Sequence, residues 1–267
     1  MNADYVQLSY WQVGIAVLLI LSNGAISMLL QLGLERSLLV ASVRMVVQLV
    51  LVGFVLESVF EWDQWYAVLG LAAVMTIIAG VAAVDRTDRL YKGVYLNSII
   101  SVWASSWIIT AFALGGVLGG VQPWYRPQYV IPLVGMILGN TLSGISLGLN
   151  RMGEELATRR EEVEMLLTLG ATRWEAARNC VRNAVRTGMT PMINAMLVTG
   201  LVSLPGMMTG QLLAGIRPIE AIKYQIVIMF LIASGTTLGT LGVVLLSYLR
   251  LFDAHHRFRY DRLTRSR

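Results

Sequence analysis

Cysteine is nearly absent from this sequence. Cys180 is the single one, so no disulfide can close within the chain, and a lone thiol with no histidine nearby reads as a small filler on a helix face. Histidine is limited to His255 and His256 in a basic C-terminal stretch, and an adjacent pair is not a preformed metal site. Charged residues make up only 14% of the chain, against about 25% in ordinary soluble domains. No region is long and polar enough to form a separate soluble domain. Lysine occurs only as Lys92, in Tyr-Lys-Gly, and Lys223, in Ile-Lys-Tyr. The Gly-Lys-[Ser/Thr] of a phosphate-binding loop is therefore missing, and the chain carries no ATPase site of its own. There is no His-Glu-x-x-His, no Gly-x-Ser-x-Gly and no carboxylate pair within an apolar run, which disfavours a membrane-embedded hydrolase. The first charge is Asp4 and the first basic residue, Arg36, follows the first apolar run, so the N-terminus does not read as a signal peptide.

What is abundant is apolar sequence, 56% of 267 residues. A bilayer core of roughly 30 Å needs about 20 apolar residues as a helix. Runs of that kind cover 14–34, 38–56, 66–84, 94–118, 130–149, 189–204 and 221–249. The expected fold is all-α: a polytopic bundle of about seven spans, a single membrane domain over residues 1–267. The sixth run is the weakest, being short and ending in Ser203-Leu204-Pro205-Gly206; if it does not cross, the count falls to six. With seven spans and the N-terminus outside, 17 of the 21 basic residues fall inside, three fall outside and Arg44 lies within a span. That bias orients the chain in an inner (plasma) membrane with its C-terminus cytoplasmic. Trp62, Trp65, Tyr66, Trp124 and Tyr125 flank the outer loops as an interfacial belt. The net charge of +5 thus sits in loops as orientation signals, not as a nucleic-acid surface.

Small residues recur at steps of four: Gly135, Gly139 and Ser143, then Gly144 and Gly148, with Gly116/Gly120 and Gly235/Gly239. They allow close helix approach, within the chain or between two copies. Polar residues within spans are costly and mark functional candidates. Arg44 and Gln48, one turn apart, and Asn140 are candidates for a substrate path, with Arg44 also placed to reach a lipid phosphate. Asn97, Asn140, Asn150 and Asn194 are expected to bond between helices. The Pro205-Gly206 break and the Met207-Met208 pair join the path, because a broken helix frees backbone carbonyls and thioethers bind soft metals. Glu57, Glu61 and Asp63 serve either an outer cation mouth or an ordinary solvated loop.

Residues 151–188 form the one long polar stretch. Thr158-Arg159-Arg160-Glu161 and Thr172-Arg173-Trp174-Glu175 both read as capping boxes. Between them a helix runs through Val163 to Leu169 and stops at Gly170; after them Arg178, Arg182 and Arg186 line one face. Two readings stand. One is an interfacial helix on anionic lipid. The other is a coupling helix whose apolar residues 166–171 seat in a groove of a cytoplasmic ATPase.

The segment Glu164-Met165-Leu166-Leu167-Thr168-Leu169-Gly170-Ala171-Thr172 resembles the cytoplasmic loop of ABC-transporter permeases, departing from it at Met165-Leu166 and in the late Pro191. Residues 41–53, 131–150 and above all 200–225, with Leu204-Pro205-Gly206-Met207-Met208, are similar to the Fet-type iron-export permeases and the related plant aluminium-sensitivity half-transporters. The resemblance covers residues 35–245. It implies a permease powered by a separate cytoplasmic ABC ATPase that binds ATP and Mg, a second copy of the chain, and export of a metal ion, iron first. On that reading Glu161, Glu164, Leu166, Leu169, Gly170, Ala171, Thr172 and Trp174 contact the ATPase, while the metal-binding residues remain unassigned. Two other classes stay open: a non-transporting membrane partner that relays ATPase motion, and an ATP-independent channel or carrier.

Overall fold

The structure, a computed structural model, describes residues 9–117, 119, 122–253 and 255–265. Asp4, Leu118 at the end of the fourth expected span, Gly120 and Arg267 lie outside them. The elements in chain order are α1 (Tyr10–Leu29), α2 (Glu35–Trp62), α3 (Trp65–Val84), β1 (Arg89–Tyr91), α4 (Val94–Phe112), α5 (Pro127–Thr158), α6 (Arg160–Thr168), α7 (Arg173–Val198), α8 (Gly206–Leu213), α9 (Pro218–Leu251) and β2 (Leu263–Arg265). The fold is all-α and polytopic, as the apolar runs require: a helix satisfies every backbone group within itself, which lipid cannot do. Pro127 and Pro218 stand at the first helical position of α5 and α9, where a missing N–H costs nothing.

The chain forms two compact units, Met1–Asp63 with Leu213–Gly215, and Gln64–Leu212 with Ile216–Arg267. In the first, α1 and α2 are joined by a turn built around Ser27. Its hydroxyl donates to Glu35 Oε2 (2.9 Å) and accepts the Leu34 N–H (3.0 Å), which explains a buried serine at the end of an apolar helix. Most other side chains of α1 and α2 are apolar and exposed, the surface of helices that face lipid.

In the second unit, β-carbon-less contacts set the helix directions. A Cβ on Gly235 would meet Ile137, and one on Gly239 would meet Thr141 and Ile145, so α5 and α9 run parallel. Gly239 also faces Ser105 and Gly242 faces Ser101, so α4 runs antiparallel to α9. Gly80 is pressed on Ile99, and Ser98 donates to the Gly80 carbonyl at 2.7 Å, locking α3 to α4. The ribbon β1–β2 pairs Arg89–Tyr91 antiparallel with Leu263–Arg265. It ties the α3–α4 connection to the segment after α9, and Tyr91 reaches Ser247 and Asn97 at 2.9 Å each.

Among the described residues, six helices are long and apolar enough to cross a membrane: α1, α2, α3, α4 with its π-helical extension, α5 and α9. α7 is not among them, because its first half is polar. Yet α5 and α9 are parallel, so the chain between them must return from one end of the bundle to the other. α7 supplies that pass. Gly188 meets Gly144 and Gly148 faces Ala184, which makes α7 antiparallel to α5. Val198 lies ten residues beyond Gly188, about 15 Å further along the axis. Met192 packs with Leu133 and Ile137 near the start of α5. The sixth expected run, 189–204, is thus the second half of a helix that begins at Arg173 and stops at Val198, short of Leu204.

Candidate functional site

α5 does not end where its apolar run ends. It continues to Thr158, because Met152 and Leu156 are buried and Glu155 is held on both sides. The Glu155 side chain is only 3% exposed and pairs with Arg151 (2.6 Å) and Arg159 (3.0 Å). Asn183 of α7 donates to the same carboxylate at 3.1 Å. This buried carboxylate links two helices and went unseen in the sequence, where Arg151, Glu155 and Arg159 look like an ordinary charged face. It also corrects the first expected capping box. Thr158 is the last residue of α5, Arg159 is the cap residue of α6, and no side chain caps that helix start. Arg159 is engaged with Glu155 instead.

The second capping box is as expected. The Thr172 N–H donates to Glu175 Oε2 (2.7 Å), and the Glu175 N–H donates to Thr172 Oγ1 (3.3 Å). The Thr172 backbone N–H, with its hydroxyl, holds the Glu175 carboxyl below the usual range. Between α6 and α7 the chain turns at Gly170, φ +90°. The Ala171 N–H bonds the Leu166 carbonyl and the Gly170 N–H bonds that of Leu167, a Schellman turn that needs glycine at its left-handed position. Leu166 and Ala171 are half-buried. Met165 and Leu169 are 55% and 76% exposed, and Trp174 is 44% exposed. Glu161 sits exposed in the first turn of α6, where its charge suits the helix dipole. Glu164 pairs with Arg160 at 2.7 Å. Arg178, Arg182 and Arg186 are exposed, while Ala177, Val181 and Ala184 are buried behind them.

The segment after α9 supports this turn from behind, and no periodicity signals it. Trp174, Tyr248, Phe252, Phe258 and Tyr260 form a continuous ladder with ring centroids 5.0–6.0 Å apart. The Arg160 guanidinium lies 4.4 Å over the Tyr260 ring. The Arg173 N–H donates to His256 Nδ1 at 2.9 Å, and the Arg173 guanidinium donates to the Asp253 carbonyl at 3.1 Å. The backbone N–H groups of Arg257 and His255 hold the Asp253 carboxyl below its usual range. The His256 ring therefore accepts a backbone N–H at the start of α7.

The remaining candidates fall in different places. Arg44 and Gln48 are exposed on α2, in the first unit. Asn140 donates to the Met136 carbonyl of its own helix at 2.9 Å. Met136 and Met207 line one small cavity of about 90 Å³ with Tyr129 and Tyr224, so the start of α8 is packed on α5 and α9. Met208 is buried. The break is a closed turn: Gly200 N–H bonds the Ser203 carbonyl, and Ser203 N–H bonds that of Val198. Pro205 precedes α8, which starts at Gly206, and its carbonyl accepts the Thr209 N–H. Among the described residues, Asn97, Asn140, Asn150 and Asn194 make no side-chain bond from one membrane helix to another. Asn97 donates to Tyr91 and Asn150 accepts from Asp88 N–H, so both anchor the α3–α4 connection. Among the described residues, no three of His, Cys, Asp and Glu gather as a metal site.

The family model for the uncharacterised protein family UPF0014 matches residues 10–252. A UPF0014 membrane protein of Synechocystis is 42% identical over 237 residues, 88% of this chain and 91% of the relative. The probable iron export permease protein FetB of Escherichia coli is 31% identical, over 92% of this chain and 93% of its own length. The protein ALUMINUM SENSITIVE 3 of Arabidopsis thaliana is 30% identical, over 83% and 79%. No solved structure matches significantly. By the extent of the family match and by its relatives, this chain belongs to the UPF0014 family of multi-pass membrane proteins.

Proposed function

We propose that this chain is the membrane permease subunit of an ABC-type exporter for a metal ion, with iron as the first candidate. On this reading the whole chain is one permease domain, paired with a second copy and driven by a separate cytoplasmic ATPase that binds ATP and Mg. The single observation that carries the reading is the exposed apolar tip formed by Met165 and Leu169. A water-facing tip gains nothing from two large apolar side chains, whereas a groove on a partner does. The tip is also braced on every side: by the Gly170 turn, the Thr172/Glu175 cap, the Glu155 pairing and the aromatic ladder. A braced tip passes a push on to α5 and α7 without being deformed itself.

The basic residues of the α3–α4, α5–α7 and post-α9 segments share this end of the second unit, which supports a cytoplasmic placement. The name of the Escherichia coli relative supports metal efflux and iron in particular. Within the bundle, the α5 positions Gly139 and Asn140 are exposed beside Met136, a small and polar stretch suited to a path.

The test is iron movement into inverted membrane vesicles that hold this chain and its partner ATPase. ATP-dependent accumulation that needs both subunits is the expected result. Vesicles that hydrolyse ATP through the complex without accumulating iron would remove iron from the proposal, and other metal ions would be assayed next.

A further inference from the structure

At the end of the second unit opposite the basic segments, α3, α4 and the start of α5 enclose a cavity of about 320 Å³. Its floor is Val68, Ala72, Val130 and Val134, all buried, and its rim includes the exposed residues Ala111 and Trp124. Among the described residues, no charged side chain lines it. Two polar atoms of its lining residues, Trp107 Nε1 and Thr110 Oγ1, are buried with no hydrogen-bond partner among the described residues. Ser106 Oγ, on the same helix, is also buried without a partner. Ser101 and Ser105 return their hydroxyls to the carbonyl four residues back, at 2.8 and 2.7 Å, and Thr110 does not. Three residues after Thr110 the helix widens into a π-helical turn, Ala113–Val117, and that turn contributes Leu114 and Gly115 to the wall. Such turns are rare and concentrate at functional sites.

From this geometry we infer that the cavity is a binding site for a neutral amphiphile: an alkyl or aryl body carrying one hydrogen-bond-accepting oxygen. The indole N–H is only a donor, so the ligand must offer an acceptor. The apolar wall excludes a charged group, whose desolvation nothing here would offset. At about 30 Å³ for each small group, the volume suits roughly ten non-hydrogen atoms. The same chemistry is presented by the acyl ester region of a membrane lipid and by a free ester, ketone or alcohol.

The test uses the full chain in lipid nanodiscs and two photoreactive probes: a diazirine-bearing methyl octanoate, and a phosphatidylcholine with the diazirine in its acyl chain. A diazirine-bearing octane serves as the matched probe without an acceptor. Cross-linked peptides are mapped by mass spectrometry. Labelling is expected on the segments around Ala72, Trp107–Gly115 and Trp124, several-fold above the octane probe. It should fall about fivefold in Trp107→Phe, the effect of one neutral hydrogen bond, and further in Ala111→Phe, which narrows the rim. Thr110→Val, nearly isosteric, guards against a fold defect in the tryptophan variant. Labelling by the free ester that unlabelled methyl octanoate displaces identifies a free amphiphile as the source. Labelling by the phospholipid that the same variants weaken identifies the bilayer. Labelling that is no stronger than on α1 and α2, or that is the same in all three variants, overturns the site.

Discussion

Gly188 of α7 and Gly144 of α5 meet backbone to backbone: a Cβ on Gly188 would stand 2.5 Å from the Gly144 carbonyl oxygen and 2.6 Å from the Thr240 methyl. Both faces of that contact are helix, so the neighbour that must yield is main chain. The dense glycine series on α5 is in this part an intra-chain seam. It lets α7 lie against α5 and α9 even though its own sequence is too polar to hold there by hydropathy. Gly188→Ala is expected to destabilise the second unit by about 2 kcal/mol through overpacking. Gly139→Ala, whose Cβ would meet nothing within 4 Å, should leave stability unchanged. Thermal melting of the detergent-solubilised chain, followed by size exclusion, reads both.

A second prediction concerns Glu155. Its carboxylate is buried while its arginine partners are about 40% exposed, so removing it leaves groups that water can still reach. Glu155→Ala should therefore cost about 2 kcal/mol, in the range of hydrogen bonds to charged groups, rather than the larger penalty of a stranded buried ion. Asn183→Ala should cost less, and the two together should be less than additive because they share one contact. The same melting assay measures the cycle.

How much of this was readable in advance divides by periodicity. The six long apolar helices follow directly from hydropathy, since about twenty apolar residues have no alternative in water. The Thr172/Glu175 cap and the Gly170 turn were legible because their chemistry is local. α7 reads in the sequence as two pieces, an amphipathic helix after Thr172 and a separate run 189–204, for a helix that starts in water and ends in the bundle has no uniform signal. Thr158 looks like a cap in the sequence because nothing there reveals that Glu155, three residues before it, is buried and prolongs α5. The aromatic ladder from Trp174 to Tyr260 joins residues far apart in the chain, in a segment without regular spacing, so nothing local announced it.

Acid should loosen the start of α7. The Glu175 carboxyl is held below the usual range chiefly by the Thr172 N–H. A group depressed in the folded state contributes stability above its unfolded pKa of about 4.3, and that contribution is lost as pH falls through the folded value. Amide exchange of residues 172–175 is expected to accelerate below pH 4 in the wild type. Glu175→Gln should show faster exchange at neutral pH and a flatter response to acid. Equal acid responses in both would remove Glu175 from the account.

Cys180 should be inert. Burial first, and the nearby Glu155 charge second, push its thiol up to about 11. It lies in the polar first half of α7, facing the α5 extension, and so reacts only as thiolate at a fraction of about one in a thousand at pH 8. Maleimide labelling of the native chain at pH 8 should be slow and should become complete on denaturation. Glu155→Gln should speed the native reaction, because the larger of the charges that raise the thiol is gone. Rapid labelling of native wild-type protein would show the site to be open.

The central claim is that the α6–α7 tip is where the ATPase grips this chain. The direct measurement is disulfide cross-linking from Leu169→Cys, in a Cys180→Ser background, to single cysteines on the co-purified ATPase subunit. Arg182→Cys, on the exposed basic face of α7, is the comparison. The account predicts strong cross-linking from position 169, changed by ATP, and little from position 182. Cross-linking from 182 but not from 169, in a complex that still co-purifies and hydrolyses ATP, would contradict it.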